Sequence, residues 1–120
     1  MALIPLATQG NFFHIYDFRV KEGMIDEFVR LFNEFDYSDH NPMHKSAAQV
    51  KDGVLVQDTK DPQRFWLIAE WSDIEEHARI RKMLIEMKPE FVKCIEGGKF
   101  IPDYGKIVSS TPEHILNKAA

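Results

Sequence analysis

The sequence predicts one α+β domain, built as a four-stranded antiparallel sheet with two helices on one face. Three observations carry this. The hydrophobic period runs strand, helix, strand, strand, helix, strand along the chain. The length of 120 residues, 44% of them hydrophobic and with nine Phe, three Tyr and two Trp, supplies one core and no more. The strand candidates also carry apolar side chains on both faces, whereas two helices cover only one.

The first strand is expected over Asn11–Val20. Phe12, His14, Tyr16, Phe18 and Val20 share one face; Phe13, Ile15, Asp17 and Arg19 share the other. Lys21-Glu22-Gly23 breaks it. From Met24 the period becomes helical: Met24, Phe28, Leu31 and Phe35 form one row, flanked by Ile25, Val29 and Phe32. Asp36–Met43 reads as a polar loop around Pro42, suited to act as a lid, and His44–Val50 is open between loop and helical turn. Asp52-Gly53 predicts a turn, followed by a second strand over Val54–Thr59. Lys60-Asp61-Pro62-Gln63 predicts the turn of a hairpin into a third strand, Arg64–Trp71.

Ser72-Asp73-Ile74-Glu75 matches a capping box with Ser72 as the cap. The helix after it has one row of Ile74, Ala78, Arg81 and Ile85, and a neighbouring row of His77, Ile80, Leu84 and Met87. Pro89 ends or kinks it and can open a short second helix that stops at Gly97-Gly98. A fourth strand is expected over Ile101–Val108, with Pro102 confining its start to a sheet edge. Residues 1–10 read as an arm, 11–108 as the domain, and 109–120 as a tail with a short helix from Thr111-Pro112.

This element order is the split βαβ, or ferredoxin-like, arrangement. The second sheet face would expose a large apolar patch, which monomers rarely tolerate. A homodimer packed sheet to sheet is the expected remedy.

Composition narrows the function. Fifteen basic and nineteen acidic residues give a net charge of −4, so no nucleic-acid partner and no anionic membrane surface is expected. No apolar run is long enough to span a bilayer. The first ten residues lack the basic region and apolar core of a secretory signal. The single cysteine, Cys94, excludes an intrachain disulfide and a multi-cysteine zinc site, and a cytoplasmic setting is the default.

Three segments carry a likeness to known proteins. They are Val20-Lys21-Glu22-Gly23 with Glu27-Phe28, Asp52-Gly53-Val54-Leu55, and Asp61-Pro62-Gln63-Arg64-Phe65 through Glu70-Trp71-Ser72-Asp73. In that order and spacing the chain resembles the dimeric α/β barrel superfamily and, within it, the antibiotic biosynthesis monooxygenase domain, over Phe12–Val108. The resemblance implies a dimeric barrel and, by the better-known members, oxidation of a small aromatic or quinol-like substrate by molecular oxygen without a cofactor. Other members degrade haem, isomerise lactones or process signalling molecules. The haem-degrading pattern of an Asn within the first strand and a Trp on the second helix is absent here, and His77 falls early in that helix. Haem is therefore disfavoured, as is flavin, and no cofactor or metal is expected.

Cofactor-free oxidation needs a base, hydrogen-bond donors for the resulting anion, and aromatic walls. His14 and Tyr16, two apart on one strand face, suit base and donor, with dimer-interface packing as the alternative. His77 and Arg81, four apart on a helix, can bind an anionic substrate. These four are the catalytic candidates. Trp66 and Tyr104 are the substrate-binding candidates, each with core or interface packing as its alternative. Trp71 lies on the opposite strand face from Trp66 and matches the family's tryptophan, so it reads as structural. His40 and His44 stand near Asp36 and Asp39, but Pro42 interrupts their spacing and no third ligand is evident. Cys94 reads as a core residue. Two other classes stay open: a non-catalytic dimeric protein that binds a small apolar molecule, and an isomerase or lyase on the same scaffold.

Overall fold

A computed structural model describes residues 3–117. The alternating first segment forms β1 (Phe12–Arg19), and the helical period forms α1 (Ile25–Asp36), which buries Phe28, Leu31 and Phe32. A 3-10 turn (Pro42–Lys45) follows, capped by the Asn41 side chain. Then come β2 (Gln49–Gln57), β3 (Arg64–Trp71), α2 (Ile74–Glu86), a second 3-10 turn (Glu90–Cys94), β4 (Pro102–Lys106) and α3 (Glu113–Leu116). The strands form one antiparallel sheet in the order β2-β3-β1-β4, which is the ferredoxin-like order.

Register settles which sheet face is covered. His14, Tyr16 and Phe18 of β1 and Phe65, Leu67, Ala69 and Trp71 of β3 turn toward the helices and are buried. They pack with Phe28, Phe91 and Phe100 into one aromatic core, Phe18 stacking on Phe100 at 5.5 Å and Phe28 meeting Phe65 at 5.1 Å between ring centroids. The other face presents Phe13, Ile15, Trp66 and Ile68, only part-buried, beside Val54 and Val56, which are 58% and 40% exposed. Pairing of Ile15 with Ile68, and of Val54 with Ile68, makes this patch continuous across three strands.

Three expectations change. Asp52-Gly53 is not a turn but a bulge inside β2, where the register slips between Lys51 and Val54. A Cβ on Gly53 would stand 3.4 Å from Leu67 and 3.5 Å from Ala69, ordinary contact distances, so the bulge brings the strand against the core side without demanding a glycine. The α2 cap is Asp73, not Ser72: its carboxylate accepts from Glu75 N at 2.9 Å and Glu76 N at 3.4 Å. Ser72 instead extends the β2–β3 pairing, its amide donating to the Ala48 carbonyl at 2.8 Å. In α2 the row of His77, Ile80 and Leu84 is the buried one, while Ile85 of the other row is exposed.

The arm docks. The Thr8 amide and the Asn11 side chain donate to Glu70 Oε2 at 2.9 and 2.8 Å, and Lys51 Nζ reaches the Pro5 and Leu6 carbonyls. The tail helix begins where Pro112 predicts, and residues 118–120 of the expected tail lie outside the described residues. Cys94 is fully buried. Among the described residues, no helix is long and apolar enough to cross a membrane.

Candidate functional site

β1, β3, β4 and α2 converge on a line of polar rings beneath the helices. His14 and Tyr16, two apart on β1, point to the same side. Trp71 closes β3 on that side and donates from Nε1 to His14 Nδ1 at 3.0 Å. His77, in the first turns of α2, lies 4.7 Å from His14 between ring centroids. Its Nε2 meets the Tyr16 hydroxyl at 3.1 Å, and its Nδ1 meets the Tyr104 hydroxyl of β4 at 2.7 Å.

Burial sets the protonation states. His14 is 5% exposed and His77 0%. Desolvation, then the neighbouring His77, lowers His14 from 6.5 to about 3; desolvation, then Arg81, lowers His77 from 6.5 to about 4. Both rings are neutral at physiological pH. A neutral imidazole that accepts at Nδ1 carries its proton on Nε2. His14 therefore presents an Nε2–H, and that nitrogen is buried without a partner. An unmade buried donor costs about 1–3 kcal/mol, a cost that an ordered water or a ligand acceptor removes. The base expected at His14 is, in this tautomer, a donor.

His77 is neutral too, so it donates to one tyrosine and accepts from the other. Tyr16 is held protonated by burial, against the opposing pull of Arg81. Tyr104 is 38% exposed. Tyr16, His77 and Tyr104 thus form a continuous hydrogen-bonded chain from the interior to solvent.

His14 and Tyr16 line a cavity between sheet and helices with about 430 Å³ of atom-free space, part of it open to solvent. Its walls are apolar and largely aromatic: Phe32, Phe35, Met43, Leu67, Leu84, Phe91 and Phe100. Its mouth is polar, with Asp36, Asn41, His44, Gln49 and Asp52. The enclosed room is about 40 Å³, space for a few waters and well below the roughly 300–1,000 Å³ usual for small-molecule sites.

The candidate residues separate accordingly. His14, Tyr16, His77 and Tyr104 come together. Arg81 turns its guanidinium to the Phe100 carbonyl, with Nε at 2.7 Å, and its charge lowers the His77 pKa and opposes the effect of burial on Tyr16. Trp66 is not part of this cavity: odd spacing from Trp71 puts it on the uncovered sheet face, under the Arg64 guanidinium at 4.7 Å. His40 and Asp39 are exposed and apart from the mouth, where His44 meets Asp36 and Asp52 instead. The sequence reading passed over Trp71 as a hydrogen-bond donor and Asp52 as a mouth residue. Strand parity already placed Trp71 on the face of Leu67 and Ala69; Asp52 was masked by its turn-like Gly53.

No protein-family model matches the sequence, and no curated protein resembles it in sequence. Solved structures do match in fold. A dimeric ferredoxin-like protein from an uncultured marine organism aligns with a TM-score of 0.65 at 17% identity, covering 87% of this chain and 93% of that one. The chain has the ferredoxin-like fold. An antibiotic biosynthesis monooxygenase-like protein from Bordetella bronchiseptica aligns with a TM-score of 0.58 at 16% identity, covering 81% of this chain and 94% of its own. SnoaB, a cofactor-independent oxygenase from Streptomyces nogalater, aligns with a TM-score of 0.57 at 14% identity, covering 80% and 89%. The ferredoxin-like architecture expected from the element order is thus shared with proteins described as antibiotic biosynthesis monooxygenase-like, as a cofactor-independent oxygenase and as dimeric ferredoxin-like.

Proposed function

We propose that this ferredoxin-like protein is a cofactor-independent monooxygenase acting on a small phenolic or quinol-like aromatic. The observation that carries the reading is the unpartnered His14 Nε2–H beside the Tyr16 hydroxyl in an aromatic-walled cavity. A ring entering from the mouth and parting Phe32, Phe91 and Phe100, which pack on one another at 5.3 and 5.7 Å between centroids, would place its oxygen on the His14 N–H. That donor stabilises negative charge developing on the oxygen. The phenolic proton leaves through Tyr16 and His77 to Tyr104, each group passing one proton on, so neither buried ring must hold a net charge. The electron-rich phenolate then reduces dioxygen. One oxygen atom bonds to a ring carbon, the other departs as water with the two displaced hydrogens, and a phenol plus dioxygen becomes a quinone plus water.

The second half of the reading is assembly. A second copy of the chain is the proposed cover for Phe13, Ile15, Trp66 and Ile68 on the open sheet face. One of the fold neighbours is itself described as dimeric.

Oxygen uptake with a panel of naphthols and hydroquinones, corrected for spontaneous oxidation, tests the activity. Uptake by the wild type that falls by about 10²-fold or more in His14→Ala and in Tyr16→Phe is the expected result. Uptake that both variants leave unchanged would remove these residues from the chemistry. Binding of the same phenols without any uptake would turn the reading toward a carrier.

A further inference from the structure

At the mouth of the same cavity, the 3-10 turn and the bulge in β2 bring together three metal-ligating side chains, from three separate elements. Asp36 ends α1, His44 lies in the 3-10 turn, and Asp52 stands on the bulge. His44 Nε2 is 3.3 Å from Asp36 Oδ1 and 2.9 Å from Asp52 Oδ1, and the three ligand atoms lie within 4.8 Å of one another. Ligands bound at about 2.0–2.2 Å to one ion stand about 3 Å apart when adjacent and about 4 Å apart when opposite. His44 Nε2 already has that spacing to both carboxylates. Its carboxylates are oriented from behind: Asn41 Nδ2 donates to Asp36 Oδ1 at 3.2 Å and the Gly53 amide to Asp52 Oδ1 at 2.8 Å.

Two observations outside the triad point to a ligand at this place. His14, 5% exposed and lining the same cavity, has an Nε2–H with no acceptor. Gln49, whose Nε2 donates to Asp52 Oδ1 at 3.1 Å, has a buried Oε1 with no donor. The cavity thus lacks an acceptor for His14 and a donor or cation for Gln49 Oε1, while the two carboxylates hold protein donors that an ion would partly replace.

We propose that Asp36, His44 and Asp52 bind one divalent transition-metal ion at the cavity mouth, with its remaining coordination positions open to the oxygen-bearing ligand that His14 receives. An imidazole among oxygen ligands favours Mn²⁺, Fe²⁺ or Zn²⁺ over Mg²⁺ and Ca²⁺. The ion holds an oxygen of the ligand and carries none of the electrons in the oxidation above; the ligand's identity rests on that reading, whereas ion binding by the triad does not.

Manganese titrated into the chelator-treated full chain, followed by the loss of the free-ion paramagnetic resonance signal, tests it. One Mn²⁺ should bind per chain, Zn²⁺ should displace it, and Mg²⁺ should not. His44→Ala and Asp52→Asn should each weaken binding by at least about tenfold. Both side chains are substantially exposed, and an unchanged far-ultraviolet circular dichroism spectrum verifies that the variants fold. No bound Mn²⁺ up to about 1 mM, an affinity of only about 4 kcal/mol, would overturn the proposal. So would binding that both variants leave intact. Either result leaves the oxygen-uptake reading standing, because His14→Ala tests that separately.

Discussion

Mild acid should destabilise this protein through His14 and His77 before most of its carboxylates titrate. In the unfolded chain each ring titrates near 6.5; in the fold, burial holds them at about 3 and about 4, helped by His77 acting on His14 and Arg81 acting on His77. The folded pKa values are depressed, so the unfolded chain binds the extra protons. Stability is complete above about pH 6.5 and is lost as pH falls toward the folded values. The loss accrues at about 1.4 kcal/mol per pH unit for each ring. By about pH 5 each ring should have removed about 2 kcal/mol, or about 4 kcal/mol together, a large share of the 5–15 kcal/mol of a typical domain. No discount for solvent applies, since the rings are 5% and 0% exposed. Asp36, raised by burial and then by the Asp52 charge, has the opposite sign. The assay is urea unfolding followed by tryptophan fluorescence at about pH 7.5, 6 and 5, at one protein concentration because a dimer's stability depends on it. His77→Gln should unfold more easily at pH 7.5 yet lose about half of the pH dependence. Equal stability at pH 7.5 and pH 5, or a pH dependence that His77→Gln and His14→Gln both leave intact, would refute the claim that these rings are buried and neutral.

Trp71→Phe removes the N–H donated to His14 Nδ1 and should cost about 1–3 kcal/mol, or more if the smaller ring leaves a cavity. It should also free His14 to change tautomer, which ¹⁵N shifts of the imidazole nitrogens report. Ile68→Asp sets a charge in the middle of the open sheet face and should yield a monomer in sedimentation velocity; a dimer that survives would place the interface elsewhere. Glu70→Ala strips the acceptor from Thr8 N and Asn11 Nδ2, worth about 1.5–3 kcal/mol for bonds to a charged group. Limited proteolysis should then cut the arm first, and an unchanged cleavage pattern would show that Glu70 does not anchor it.

Much of the fold was legible because it is local. A period of two in Phe12–Arg19 and Arg64–Trp71, and a helical period in Ile25–Asp36, mark their own elements and faces whatever the rest of the chain does. The common face of His14 and Tyr16 follows from the same arithmetic, as does the separation of Trp66 from Trp71. Local chemistry was less decisive where two patterns compete. Asp52-Gly53 satisfies a turn and a bulge equally well, and the pairing of Lys51 with Glu70 and Val54 with Ile68 chose the bulge. Ser72 and Asp73 both qualify as caps, and the amide of Ser72 was already committed to Ala48.

The sequence by itself determined the elements, their order and the pairs of side chains that share a face. Only the tertiary structure decided which face the helices cover, and with it the site. His14 meets Trp71 across 57 positions of chain, and Tyr16 meets His77 across 61. Such contacts depend on strand register and on the rotation of α2 against the sheet, neither of which leaves a periodic trace in the sequence. The protonation of the two histidines is decided at the same level, because a ring's pKa answers to the water and charge that packing removes or brings near.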